Sequence, residues 1–416
     1  MRPIILIIFL LLTTISWSQN APTLEECYEL VYENYPIAKQ TEMLNSQQEF
    51  EVSSINAERL PQIGLSAQGT YQSDIIEIPI TEKSSESLNK EQYKAILTIN
   101  QLIYGGGLLD AKTEVEIAKY NADRKQVEVD LYQLKTRVNQ LFFSILLKQE
   151  KHQLLLLKQT QLNTKLKEVK SGITNGVLLP TSDKPIEVEL LKIDQDIEST
   201  LKDKASLISS LSSLIGLHLD KNTVFKTPVV FTSKSSDIKR PELDLFQLKK
   251  EEIDASTLLL SKENAPQLSG FVEGGVGNPG LNILDNSFQE FYTVGLKLKW
   301  NVFDWNSNKK ERKALQINKD IVDNETEVFN LNTNIELNEH ESDINKLGEL
   351  IETDSEIIAL RKIVLDATES QLRNGVITTS AYITDLTNLY EEENRFITHT
   401  IQLELAKSNY NITKGN

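Results

Sequence analysis

Three consecutive glycines, Gly105, Gly106 and Gly107, separate an alternating stretch, TINQLIY, from the helical run that begins LLD. Glycines at a strand-to-helix turn can cradle a nucleotide phosphate, because bare backbone N–H groups and the helix dipole both favour an anion there. Few other residues are spaced for chemistry. His152, His218, His340 and His399 are scattered without metal-ligand spacing. Three of them fall in predicted helices, where a solvated face is expected. The acidic pairs Glu251-Glu252 and Glu391 to Glu393 lie in helical runs and read as solvated surface. No HExxH or GxSxG occurs, and the single cysteine, Cys27, has no nucleophile context and no partner for an internal disulfide. Neither catalysis nor a cofactor is expected.

The glycine question is answered by a duplication. Residues 35–62 align with 240–267, placing Pro36 on Pro241 and Pro61-Gln62 on Pro266-Gln267 at a shift of 205. Further on, Asn175-Gly176-Val177 falls on Asn374-Gly375-Val376, and Tyr104 falls on Phe303, at a shift of 199. LIYGGG therefore aligns with NVFDWN, whose Asp304, Trp305 and Asn306 carry side chains where a phosphate would need bare backbone. The helix that follows is also far too long for a dinucleotide-binding unit. The glycines are expected to bend the chain from a strand into a helix.

The chain has 416 residues and a formal charge of −16. It opens MRPIILIIFLLLTTISWSQ, the layout of a cleaved export signal over residues 1–18, with an apolar run too short to span a bilayer. Losing that segment removes only Arg2 among the charged residues, taking the charge to −17. Such a chain repels nucleic acid. The acidity suits either plain solubility or a pore favouring cations. Beyond the signal no stretch of 18 apolar residues occurs, so any membrane crossing must be made by strands.

Each copy has one order of elements. The first repeat, 19–230, has a helical segment from Leu24 to Leu60, strands 63–73 and 93–104, a long helix 108–171 and a return helix 180–216. A polar linker, 231–241, leads to the second repeat, 242–416. That repeat has a helix to about 264, strands 268–277 and 291–303, a long helix 307–374 and a return helix 380–414. The long helices lack proline, and each would reach about 100 Å at 1.5 Å per residue. Leu131, Leu134, Val138, Leu141 and Ile145 form a narrow apolar seam, the pattern of helices packed side by side with water on their other faces. The two shorter segments of each copy together match the long helix in length.

The strands are near ten residues long, as a tilted membrane strand must be. In YTVGLKLKWNV (292–302) Tyr292, Val294, Leu296, Leu298, Trp300 and Val302 share one face, and Thr293, Gly295, Lys297, Lys299 and Asn301 the other. Four strands cannot close a barrel, and open edges are intolerable in lipid, so closure would require several copies, three giving twelve strands. Loops 74–92 and 278–290 would face the exterior, and Tyr104, Phe303 and Trp305 the membrane interface.

With the duplicated order of elements, Tyr35-Pro36, LPQ at 60–62, the strand ends LIYGGG and NVFDWN, and the paired NGV turns, the sequence resembles the TolC-like outer-membrane efflux family across its mature length. The resemblance implies a mainly α fold with a transmembrane β part: a homotrimer whose 12-stranded β-barrel continues as a long α-helical barrel in the periplasm. It implies an outer-membrane exit duct for efflux or type I secretion, working with a periplasmic adaptor (membrane fusion protein) and an inner-membrane transporter. It places the adaptor contact at the turns, on Gly176, Val177, Leu178, Gly375, Val376 and Ile377. Family members often carry aspartates after the second turn, where the tunnel closes. Here Ala381 and Thr384 take those places, leaving Asp183, Tyr382 and Asp385 for a constriction. The competing reading is a soluble periplasmic coiled-coil adaptor or scaffold whose hairpins form a small sheet.

Overall fold

The computed structural model describes residues 21–75, 89–232, 237–283 and 285–416. The expected signal 1–18, most of loop 74–92 and linker residues 233–236 lie outside the described residues. The elements are α1 (Leu24–Asn34), α2 (Gln40–Ala57), β1 (Gln62–Tyr71), β2 (Glu91–Tyr104), α3 (Leu108–Thr174), α4 (Lys184–Ile215), α5 (Pro241–Glu263), β3 (Gln267–Asn278), β4 (Gln289–Lys299), α6 (Ser307–Arg373) and α7 (Thr379–Lys414).

Local chemistry sets where these elements start and stop. Thr23 and Glu26 form a reciprocal cap on α1: Thr23 Oγ1 accepts from the Glu26 N–H at 3.2 Å, and Glu26 Oε2 from the Thr23 N–H at 2.7 Å. The helix expected from Leu24 to Leu60 is broken, because Tyr35 is extended ahead of Pro36 and a 3-10 turn, Pro36–Lys39, intervenes. In the second copy Arg240 is likewise extended before Pro241, but α5 then runs without a break to Glu263. The α4 helix starts at Lys184 rather than 180, since Pro180 and Pro185 delay it. The last strand ends at Lys299 instead of reaching 303, because its partner Gln267 is preceded by Pro266, which has no N–H to extend the ladder. Both long helices have 67 residues, starting at Leu108 and Ser307.

The four strands form one antiparallel sheet in chain order, so β1 and β4 are its edges. The register carries Ile63, Ile99, Val272 and Val294 across one face, with Leu65, Leu97, Gly274 and Tyr292 beside them. The opposite face has rows such as Gly64, Thr98, Glu273 and Thr293. One face is therefore apolar over all four strands and the other mixed, with Phe271 laid over Gly295 and Phe291 over Gly275. A bulge between Leu102 and Tyr104 marks the end of the β2–β3 ladder.

Below the sheet, each long helix is flanked by shorter ones. Lys112, near the start of α3, pairs with Glu58 just after α2 at 3.0 Å, and Lys148, past the middle of α3, with Asp203 of α4 at 2.7 Å. In the second copy Lys319 pairs with Asp254 of α5 at 2.7 Å, and Lys362 with Glu393 of α7 at 3.4 Å. A first core gathers α1, the middle of α3 and the end of α4 around Phe142, Phe143, Ile145 and Phe225. Within it Asn139 is fully buried and satisfied by Tyr28, Ser408 and Asn409, so a polar group ties the first copy to the second. A second core lies toward the turns, on α3, α4, α6 and α7.

The glycine turn joins the two copies. Gly106 has φ of 63°, and a Cβ on it would stand 2.4 Å from the Ala265 Cβ and 3.2 Å from the Pro266 carbonyl oxygen. The missing side chain makes room for the α5–β3 corner. Gly106→Ala should thus destabilise the fold by more than the 1–2 kcal/mol of a left-handed residue alone. In Gly105→Ala the new methyl would meet only the Leu102 side chain, so a clearly smaller loss is expected in thermal unfolding of the purified protein.

Candidate functional site

The end of the molecule remote from the sheet is built from two helix-to-helix turns with the same capping. After α3, the Gly176 N–H donates to the Ile173 carbonyl at 3.1 Å and the Val177 N–H to the Gly172 carbonyl at 2.9 Å. After α6, Gly375 donates to Leu372 at 3.0 Å and Val376 to Gln371 at 2.9 Å. Both glycines are left-handed, with φ of 74° and 70°, as this cap requires. The turns touch: a Cβ on Gly375 would lie 3.2 Å from the Val177 carbonyl oxygen.

The six turn residues expected to face outward divide. Gly176, Val177, Gly375 and Val376 are exposed, Val376 at 71%. Leu178 and Ile377 instead turn inward onto the second core. Leu178 lies over Gly172, where any Cβ would come within 2.9 Å of its Cδ1. In its place Leu179 is presented to solvent. The sequence signal for Leu179 was available in the LLP run: Pro180 holds the chain extended, so consecutive leucines point opposite ways.

The three residues expected to narrow a tunnel also separate. Tyr382 is fully buried in the second core, so it lines no free surface of this chain. Burial pushes its hydroxyl up to about 12. Asp183 is buried beside Lys184, which approaches its Oδ2 at 3.3 Å. Asp385 is half-buried.

The side chains that organise this end are two lysines that sequence patterning did not single out. Lys158 of α3 is buried, donates to Glu189 at 2.9 Å, and lies 4.5 Å from the centre of the Tyr390 ring. One step nearer the turns, Lys165 binds Glu168 at 2.6 Å and Glu369 at 2.7 Å, over the Tyr382 ring at 5.4 Å. Burial by itself would raise the Glu189 carboxyl, but hydrogen bonding to Lys158 and its charge leave it below the ordinary value. That contribution is present at neutral pH and is lost as pH falls through the lowered value. These lysines clamp the first helix pair to α6 and α7 by charge and by cation–π attraction. At an apolar seam they look like errors of pattern, and only the third dimension shows what faces them.

At the other end of the long helices, Tyr104, Phe303 and Trp305 are exposed, Trp305 at 80%. The Phe303 and Trp305 rings meet edge to face at 4.8 Å. Trp305 and Asn306 have φ of 56° and 61°, matching Gly106 and Gly107 at 63° and 81°. Without glycines, the second turn is held by Asp304, which accepts from the backbone of Asn306 at 2.9 Å and Asn308 at 3.1 Å and from Asn264 Nδ2 at 2.7 Å. The Asn308 and Asn264 bonds hold its carboxyl below the usual range. A tryptophan kept at positive φ costs about 1–3 kcal/mol.

Among the described residues no cluster of potential metal ligands occurs. His399 departs from the expected solvated face: its Nδ1 lies 2.7 Å from the buried Asp354 carboxylate, linking α7 to α6.

The clamp yields a test. Lys158→Ala, which leaves Glu189 only its looser 3.5 Å contact with the exposed Lys192, should destabilise the turn region by roughly 3 kcal/mol, whereas Lys158→Met in a Glu189→Gln background should recover most of it. Amide exchange across 379–390 would show the difference.

No family model matches the chain, and no curated protein matches it. Solved structures do. The chain is similar to the CusC channel, with 14% identity, a TM-score of 0.68 and coverage of 96% of each chain. It is similar to the outer-membrane protein VceC of Vibrio cholerae, at 11% identity and a TM-score of 0.66, covering 94% of this chain and 96% of that one. It also matches the CmeC outer-membrane channel of Campylobacter jejuni, at 14% identity and a TM-score of 0.66, covering 96% and 90%. From the paired sheet corners to the twin capped turns, this chain has the fold of the TolC-like outer-membrane channels.

Proposed function

We propose that the chain is the outer-membrane channel of an export system, a passive duct with no energy source of its own. In this reading three copies close their sheets into a 12-stranded barrel in the outer membrane, and the long helices continue it as a tunnel through the periplasm. The exposed turn residues Val177, Leu179 and Val376, held by Gly176 and Gly375, dock a periplasmic adaptor, which joins the duct to an inner-membrane transporter for efflux or type I secretion.

The observation that carries the reading is the sheet. Its apolar face runs over four strands and, among the described residues, is largely exposed, Leu65 at 78% and Leu296 at 70%. In water such a face and two open edges would drive aggregation, whereas a lipid-facing barrel needs the face and removes the edges. A soluble periplasmic scaffold has no use for it. The similar structures are outer-membrane channels, which favours the same placement. In this reading Asp183 and Asp385 remain as acidic groups near the periplasmic end of the tunnel, with Tyr382 acting only as packing behind them.

Two experiments test this. The protein should fractionate with outer membranes, resist a salt wash, and conduct in planar bilayers. Leu296→Lys, on the apolar face, should cost about 2–4 kcal/mol near mid-bilayer and block insertion, while Thr293→Lys, on the other face, should insert normally. Equal insertion of both variants, or release by salt, would count against a barrel. For the turns, Gly375→Trp should abolish export with barrel assembly intact, because φ of 70° strains any side chain and its Cβ would crowd the Val177 carbonyl oxygen at 3.2 Å; normal export in that variant would remove the adaptor assignment.

A further inference from the structure

The four described strands carry six charged residues, and the register sorts them by sign. Glu91 and Glu290 fall on the apolar face, near the loop end of the sheet. Lys94, Lys297 and Lys299 all fall on the mixed face, where Glu273 is the one carboxylate of the strands. In the ring proposed above the mixed face is the inner wall. Each copy then brings that wall two net positive charges, although the whole chain carries −16. We infer that the barrel lumen selects for anionic solutes, with Lys94, Lys297 and Lys299 as its specificity-determining residues. This rests on the duct reading and adds to it the charge class of what passes.

The register leaves these lysines without neutralising partners. Lys297 faces Ser269, Lys299 faces Gln267, and Lys94 lies between Gln68 and Gly277. An opposite charge directly across a strand pair is the stabilising arrangement, and none is present among the described residues. Glu273 faces Thr98 and Thr293 instead. It lies four residues along β3 from Ser269 and four from Gly277, about 13 Å each way at roughly 3.3 Å per residue. That exceeds the screening length of about 8 Å at physiological salt. All three lysines are exposed. Lys297 and Lys299 stand two residues apart on one strand, so like charges are held side by side about 7 Å apart, at a cost to the sheet.

The two phenylalanines of the same face do not screen the charge. Each ring lies against the wall: a Cβ on Gly295 would come within 2.8 Å of the Phe271 ring, and one on Gly275 within 3.0 Å of the Phe291 ring. The missing side chains let the rings fold down onto the strands. Lys94 Nζ lies 5.2 Å from the centre of the Phe291 ring, which holds that ammonium at the wall by cation–π attraction. The ammonium groups of β4 stand free above a flat surface. Charge of one sign on a confined, low-dielectric wall concentrates its counter-ions. Carboxylates, sulfonates and phosphates are therefore enriched there, and cations depleted.

Charge-selective labelling in membranes tests this without requiring the far end of the duct to be open. Ser269→Cys places a thiol opposite Lys297, and the native Cys27 is fully buried. The thiol is reacted with a sulfonate-bearing and a trimethylammonium-bearing methanethiosulfonate, and the rate ratio is divided by that of a free thiol. The anionic reagent should be favoured several-fold. Lys297→Gln with Lys299→Gln should at least halve that preference, and Lys297→Glu with Lys299→Glu should invert it. Lys221→Glu with Lys226→Glu, exposed beyond α4, should leave it unchanged. Should the glutamate pair fail to insert, the glutamine pair and the unaltered lysines carry the test. Equal or cation-favoured rates with all lysines in place, or an equal shift from the control pair, overturn the anion assignment and leave the duct standing. A thiol that neither reagent reaches in membranes overturns the water-filled barrel, and the assignment with it.

Discussion

Backbone N–H and C=O groups must be paired wherever water is absent, and this requirement governs the rest of the molecule. A four-stranded sheet satisfies its inner ladders and leaves one row of unpaired groups on each outer edge. With an apolar face as well, the sheet is a fragment of a larger closed surface rather than a finished domain. The helices inherit the same incompleteness: α3, enclosed by both copies, buries residues along its length, while the equally long α6 buries few.

The two copies meet one geometric demand by different chemistry. Both strand-to-helix corners place two residues in left-handed backbone. The first does so with glycines, because the neighbouring chain passes where a Cβ would be. The second does so with Asp304 as a local cap, while Trp305 holds an unfavourable φ and keeps its ring in solvent. The other helix ends were less free to diverge. Gly216 and Gly415 end α4 and α7 with left-handed φ, and a Cβ on either would strike the segment that precedes the following proline, at Asn34 or Lys239. Tight approach of a second chain segment preserves glycine; an open corner lets it drift.

Toward the turns, the interior is held by a mixed chemistry. Aliphatic layers alternate with Lys158 and Lys165, whose ammonium groups face glutamates and tyrosine rings. Broken pairs would be costly in such an interior, while the aliphatic layers around them would not mind sliding. The lysines therefore fix the register of α3 against α7 more sharply than the leucines do.

Sequence alone determined the order of elements, the duplication, the alternation of the strands and the capped Asn-Gly turns. Each depends on neighbours along the chain: period two in a strand, a missing N–H at proline, left-handed geometry at glycine. It also carried the outward faces of Val177 and Val376. What it could not carry were the contacts made where turns and helices pack on one another. Tyr382 reads as an exposed aromatic beside a turn, yet Lys165 and the second core enclose it; Leu178 reads as presented outward, yet Gly172 leaves a hollow that receives it; His399 reads as solvated, yet Asp354 waits on the next helix. For Tyr382 and His399 an amphipathic helix offers more than one face to bury, and for Leu178 the turn could bury either of two leucines; only packing against neighbours decides which is inside.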